Sequence, residues 1–171
     1  MVSICPHCVR TIGVDWKEHG GTIAIEHHSE LLARHQDKLP LALEEQKSMV
    51  FHDACYLGRY RGVYDEPREV IARYGQVVDP PRARERGFCC GGGGGLMFLG
   101  EESGKRVNLE RAQELVATGA SVVAAACPFC NSMLRDGLAA ATDNPPELLD
   151  VAQIAAAAIA KTIPQKTADG A

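Results

Sequence analysis

Along the chain, short continuous apolar runs alternate with longer stretches in which apolar residues recur at helical spacing. Thr22–Glu26 (TIAIE) and Ser48–Phe51 (SMVF) carry β-branched or bulky apolar residues, and the pattern predicts a short strand at each. Gln76–Asp79 is a further candidate strand. Ala120–Ala126 (ASVVAAA) is an unbroken apolar run of the kind buried on both faces of a sheet. Helical periodicity covers Ser29–His35, Glu66–Arg73, Glu101–Ala117 and Val151–Ala160. The third of these is followed by Gly119, a residue suited to the left-handed turn that ends a helix. Strands alternating with helices predict an α/β fold, a small parallel sheet flanked by helices. The tail from Gln165 to Ala171 is expected to be disordered.

Two distant segments share a pattern. Ile4–Ile12 (ICPHCVRTI) and Ala126–Leu134 (ACPFCNSML) each place an apolar residue before CPxC and an amphipathic start after it. Carried on without a gap, the offset of 122 from Cys5 to Cys127 sets Leu31-Leu32-Ala33 against Gln153-Ile154-Ala155, both in apolar helix-like segments. The continued register reads as an internal duplication. Residues 1–35 are then the end of a first, truncated repeat, 36–160 a complete second one, and 161–171 a tail.

The net charge of −4 offers no field for nucleic acid, and one Trp in 5% aromatic residues offers few stacking surfaces. No apolar run approaches the roughly 18 residues that span a bilayer. The longest, Ile154–Ala160, ends at Lys161. A basic segment leading into an apolar one is also missing at the N-terminus, so a cytoplasmic protein is expected, membrane-associated only through partners.

Seven cysteines change the picture. In a reducing compartment they are expected as thiols, and an odd count argues against a closed disulfide framework. The strongest constellation is Cys55, then Cys89-Cys90-Gly91, then Cys127 and Cys130 as CPxC. A CxxC turn brings two sulfurs to one side. Adjacent cysteines normally point apart, and the run Gly91–Gly95 supplies the backbone freedom for both to serve one centre. Five thiolates exceed the four that a tetrahedral zinc accepts, whereas a polynuclear iron–sulfur cluster has more metal sites to satisfy. Gly91, Gly92 and Gly93 are expected to shape the ligand loop, with backbone N–H groups near cluster sulfur. The glycine run lacks the Lys-Ser/Thr of a nucleotide-binding loop. Cys5 and Cys8 form a weaker candidate pair. The CPxC pairs alone would also suit thiol–disulfide exchange, which leaves the other three cysteines unexplained.

His27, His28 and His52 fall at apparent strand ends near these cysteines. A structural role is expected for the first two; His52, in His52-Asp53-Ala54-Cys55, is expected to tune the site rather than ligate it. Arg59, Arg61, Arg68, Arg106 and Arg111 are candidates to pair with the negative charge of a cluster or with carboxylates such as Glu102 and Glu110, and ordinary surface pairs are expected for most of them.

The runs HDACYLGRYRGVYDEPRE (52–69), ERGFCCGGGGG (85–95) and ACPFCNSML (126–134) resemble the CCG-type cysteine-rich domain. That domain occurs in heterodisulfide reductase B- and D-type subunits. It also occurs in the iron–sulfur subunits of glycolate, lactate and anaerobic glycerol-3-phosphate dehydrogenases. The resemblance covers about residues 1–160. It implies tandem domains, with Cys5 and Cys8 as the remaining CxxC of a first copy. It also implies a [4Fe–4S] cluster, noncubane in some relatives and cubane or replaced by zinc in others, on the five cysteines. Partners implied are other oxidoreductase subunits carrying a flavin or a ferredoxin-type donor, with self-association as a further expectation. The expected function is an electron-transfer domain of an oxidoreductase. The alternatives are a zinc-stabilised interaction domain without redox function and a thiol–disulfide oxidoreductase.

Overall fold

The structure, a computed structural model, describes residues 1–40, 47–99 and 104–162. Its first unit is β1 (Val2–Ser3), α1 (Pro6–Gly13), β2 (Glu26–His27) and α2 (His28–Arg34), with β1 and β2 paired in parallel. The larger unit follows as β3 (Lys47–Phe51), α3 (Gly58–Arg61), α4 (Asp65–Ala72), β4 (Gly75–Val78), α5 (Leu96–Leu99) and α6 (Val107–Val116). It is completed by β5 (Val122–Ala125), α7 (Pro128–Ala141), β6 (Glu147–Asp150) and α8 (Val151–Thr162). The four strands of this unit form a parallel sheet in the order β4-β3-β5-β6.

The order decides where a site can form. From β3 the chain crosses to one side to make β4; from β5 it crosses to the other side to make β6. Right-handed crossovers in opposite directions put their helices on opposite faces. Accordingly α6 packs on α7, while α4 packs against α2 and α8. The reversal opens a crevice outside the carboxyl ends of β3 and β5, the usual binding place in open α/β sheets. β5 is buried along its whole length, as its unbroken apolar run requires. With Val50, Phe51, Ile71, Leu115, Leu134 and Val151 it forms the core.

Both CPxC segments start helices in the same way. Cys5 and Cys127 are N-cap residues in extended conformation, and Pro6 and Pro128 open α1 and α7. Proline fits there because the first N–H groups of a helix have no intrahelical partner. The second cysteine falls three residues after the cap, where side chains reach back toward the cap position. The two βαβα stretches also share element order: α1 and α7 start 122 residues apart, and α2 and α8, at His28 and Val151, start 123 apart.

Several boundaries differ from the sequence reading. Only Glu26 of the Thr22–Glu26 run is in a strand, because its partner β1 is two residues long and gives Thr22 and Ile23 no ladder among the described residues. The helix read over Glu101–Ala117 starts at Val107, after Gly104 at φ +80°. Its residues 101–103, Glu102 among them, and the tail from Gln165 to Ala171 lie outside the described residues. The elements α7 and β6 escaped the periodicity. In α7, Gly137 faces α6 so closely that a Cβ would lie 2.6 Å from Asn108 O, so close approach replaces an apolar stripe there.

Candidate metal centre

Cys55 follows β3 by four residues and Cys127 follows β5 by two, at the same edge of neighbouring strands. The loop after β4 carries Cys89 and Cys90 to that edge. Hydrogen bonding links all five thiols in one chain, Cys55–Cys89–Cys90–Cys130–Cys127. Cys90, Cys127 and Cys130 are buried; Cys55 and Cys89 are partly open to a pocket of about 260 Å³. Gly92, Gly93 and Gly94 line the same pocket.

The thiols push one another's pKa values in opposite directions. Hydrogen bonds from Cys55 and Cys90, joined by the Gly91 N–H at 3.3 Å, hold Cys89 far below the usual thiol range against the effect of burial. Cys55 is pushed well up by its bond to Cys89 and by burial. The bond from Cys130 pulls Cys90 down, but Cys89 and burial outweigh it and raise Cys90 to about 11. Cys127 is lowered by the bond from Cys130, and Cys130 is raised by Cys127, Cys90 and burial. Adjacent thiolates repel, so five cannot ionise together unless positive charge lies among them. Five soft sulfur donors at a crevice fit a polynuclear iron–sulfur group.

Gly91 makes the adjacent pair workable. Its φ is +86°, and a Cβ would lie 3.1 Å from Asn108 N and 3.2 Å from Val107 Cβ, at the start of α6. Gly91→Ala is expected to cost about 1–3 kcal/mol through backbone strain. Urea unfolding of the variant reads this cost; an unchanged midpoint would contradict it.

The loop leading to Cys55 is pinned by a buried ion pair. Arg68 Nη1 and Nη2 donate to Asp53 Oδ1 and Oδ2 at 2.8 and 2.9 Å, and the Arg84 N–H donates to Oδ2 at 2.7 Å. Burial alone would raise the Asp53 pKa, but Arg68 holds it below the usual carboxylate range. His52 is buried beside this pair. One of its ring nitrogens, Cys90 Sγ and Cys130 Sγ lie within 4.8 Å of one another. Burial, then the Arg111 guanidinium, pushes its pKa down to about 3.

The remaining sequence candidates fall outside this group. The Cys5 thiol interacts with Cys8 and approaches His7 Nδ1 at 4.0 Å. His27 caps α2 and reaches Ile4 O; His28 pairs with Asp150 at 2.9 Å. Neither histidine lines the pocket. Surface pairing fails as an account of Arg68 and Arg111, at 7% and 0% exposure. Arg111 bonds Glu114 instead of Glu110. Asn108, Arg111, Ala112 and Leu115 form one helical face, so a polar residue within an apolar stripe was the available signal.

The sequence reading missed the aromatic lining of the pocket, His7, Tyr56 and Phe129. His7 stacks on Tyr56 with ring centroids 3.8 Å apart and meets Phe129 edge-on at 5.2 Å. His7 and Phe129 are the variable residues of the two CPxC segments, 122 positions apart. That equivalence could have pointed to them.

Residues 49–135, half the chain, match the family described as CCG, a cysteine-rich domain. The chain belongs to the CCG family. This CCG chain is 40% identical over 141 residues to a probable iron-sulfur-binding oxidoreductase, FadF, of Bacillus subtilis, covering 80% of the chain and 20% of that protein. It is 36% identical over 165 residues to the EtfAB:quinone oxidoreductase of Syntrophomonas wolfei, covering 90% and 23% respectively. Over 140 residues it is 36% identical to the D-type subunit of the dihydromethanophenazine:CoB–CoM heterodisulfide reductase of Methanosarcina mazei, covering 78% and 34%. The chain thus spans between a fifth and about a third of the length of these curated relatives. Another relative, 35% identical, is a probable membrane-anchored ferredoxin of Chromohalobacter salexigens. No helix among the described residues is long and apolar enough to cross a membrane.

Proposed function

We propose that this CCG domain is an electron-transfer unit of a larger oxidoreductase, with an iron–sulfur cluster held by Cys55, Cys89, Cys90, Cys127 and Cys130. The observation that carries this reading is the unbroken chain of five thiols in the crevice beyond β3 and β5. Iron–sulfur relatives in the same family support it. The cluster type proposed is [4Fe–4S], noncubane, because five cysteines exceed the four ligands of a cubane or a zinc ion. Bound there, such a group supplies one-electron transfer.

The chain's own residues set the conditions. The Gly91 N–H, already on Cys89 Sγ, stabilises thiolate charge, and Gly92 and Gly93 line the pocket without side chains to fill it. Cys127 and Cys130 are shielded from water, while Cys55 and Cys89 face the open side, where a partner's donor could approach. Partners of the proposed unit are other subunits or domains with a flavin or ferredoxin-type donor and a disulfide or quinone acceptor; self-association is a further expectation. Shared element order in the two βαβα stretches supports residues 1–35 as the end of one repeat and 36–160 as a second. A cytoplasmic protein, reaching membranes through partners, is the matching location.

Protein produced anaerobically is expected to be brown, to bleach on oxidation and to contain iron and acid-labile sulfide in comparable amounts. Stoichiometric zinc without sulfide would sink the reading.

A further inference from the structure

We propose that Arg111 is a positioning residue that locks His52 as the Nε2–H tautomer, making His52 a hydrogen-bond donor to the sulfur of the centre and excluding it as a ligand. The donor role presupposes the iron–sulfur reading above. Arg111 lies in α6 with no side-chain exposure, and its Nε donates to His52 Nδ1 at 3.0 Å. A guanidinium stays protonated in proteins and has no acceptor, so this bond runs in one direction only. His52 Nδ1 therefore presents its lone pair to Arg111. An imidazole with protons on both nitrogens would set two donors against each other there. The ring is neutral, and its one proton is on Nε2.

Two consequences follow for the centre. Metal ligation takes a nitrogen lone pair, and an Nε2–H has none to give. Yet Nε2 is buried and lacks a protein hydrogen-bond partner, in a ring set beside Cys90 Sγ and Cys130 Sγ. A buried donor without an acceptor is destabilising, and the acceptors at hand are sulfurs. A donor to sulfur favours the more negative, reduced form of a cluster and so raises its reduction potential. Arg111 itself cannot swing away easily: its Nη1 donates to Arg82 O and to Glu114 Oε2, both at 2.9 Å. Glu114 is held in turn by the Arg82 N–H at 2.7 Å and Arg82 Nε at 3.0 Å.

The test combines nitrogen-15 NMR of the metal-free full chain with iron analysis and potentiometric titration of the loaded chain. The wild type is expected to show the His52 proton on Nε2. A proton on Nδ1 would overturn the assignment. His52→Leu and Arg111→Met should keep their iron and sulfide but lose about tenfold in the reduction equilibrium constant, equivalent to about 59 mV for a one-electron couple. His52→Gln keeps an amide N–H near the same place and should restore most of the shift. Iron loss in His52→Leu as deep as in Cys127→Ser would make His52 a ligand and overturn the proposal, as would an unchanged potential. If Arg111→Met does not fold, the two His52 variants still decide the donor role. A wild type that binds no iron but shows the Nε2 proton overturns the cluster reading while supporting the fixed tautomer.

Discussion

Cys127→Ser is expected to strip the anaerobically prepared chain of most of its iron and sulfide, whereas the double change of Cys5 and Cys8 to Ser leaves both almost untouched. Cys127 is fully buried at the N-cap of α7 and joins the group through Cys130. No loop can swing in to replace a sulfur at that depth, and a serine oxygen is a poor substitute toward iron. The loss should exceed the about 10- to 100-fold in metal affinity that changes to outer-shell residues cost. Cys89→Ser should behave like Cys127→Ser. Cys90→Ser should retain more, since four thiolates can still hold a cubane-like cluster. Cys5 and Cys8 interact with each other and supply at most two thiolates. Iron and acid-labile sulfide measured across these variants check the assignment. Equal losses in the Cys5/Cys8 and Cys127 variants would mean a mixed site drawing on both CPxC segments.

The second large effect concerns folding. Asp53→Ala is expected to destabilise the protein by about 3–5 kcal/mol, the range for removing one partner of a buried ion pair. The remaining Arg68 guanidinium, 7% exposed, would keep Asp79, the Tyr64 carbonyl and the face of the Phe51 ring. The pair also carries a pH signature. The folded pKa of Asp53 lies below its unfolded value of about 3.9. Its stabilisation is therefore fully present above that value and lost as the pH falls through the folded pKa. Urea unfolding at neutral and acid pH, with iron content matched, should show a steep acid limb in the wild type and a shallower one in Asp53→Asn. Parallel acid limbs would show that Asp53 is not the group responsible. Since Asp53 precedes Cys55 by two residues, its loss should also loosen the metal centre.

The near-neighbour patterns in the sequence determined a good part of this protein. A run such as Ala120–Ala126 can satisfy its apolar side chains only when both faces are covered, so it announces a central strand. Cys-Pro at a helix start follows from donors that have no partner in the first turn, and a cysteine pair followed by glycine announces an unusual backbone. These rules involve residues within a turn of one another, and a sequence displays them directly. The CCG membership was legible for the same reason.

Only the tertiary structure decided that β3 and β5 are neighbours, and with them that Cys55 and Cys127 share an edge. Strand pairing depends on contacts between distant residues that local pattern does not encode. The fate of charged side chains is of the same kind. Arg68 and Arg111 read as surface residues because burying a cation is costly until a partner arrives. Those partners come from other elements: Asp53, 15 residues from Arg68, and His52, 59 residues from Arg111. His7 reaches the pocket for a like reason, stacked on Tyr56 from a distant part of the chain. Periodicity identified the pieces of the site. Which distant groups neutralise, orient and line it was set by packing, because those energies exist only once the elements have met.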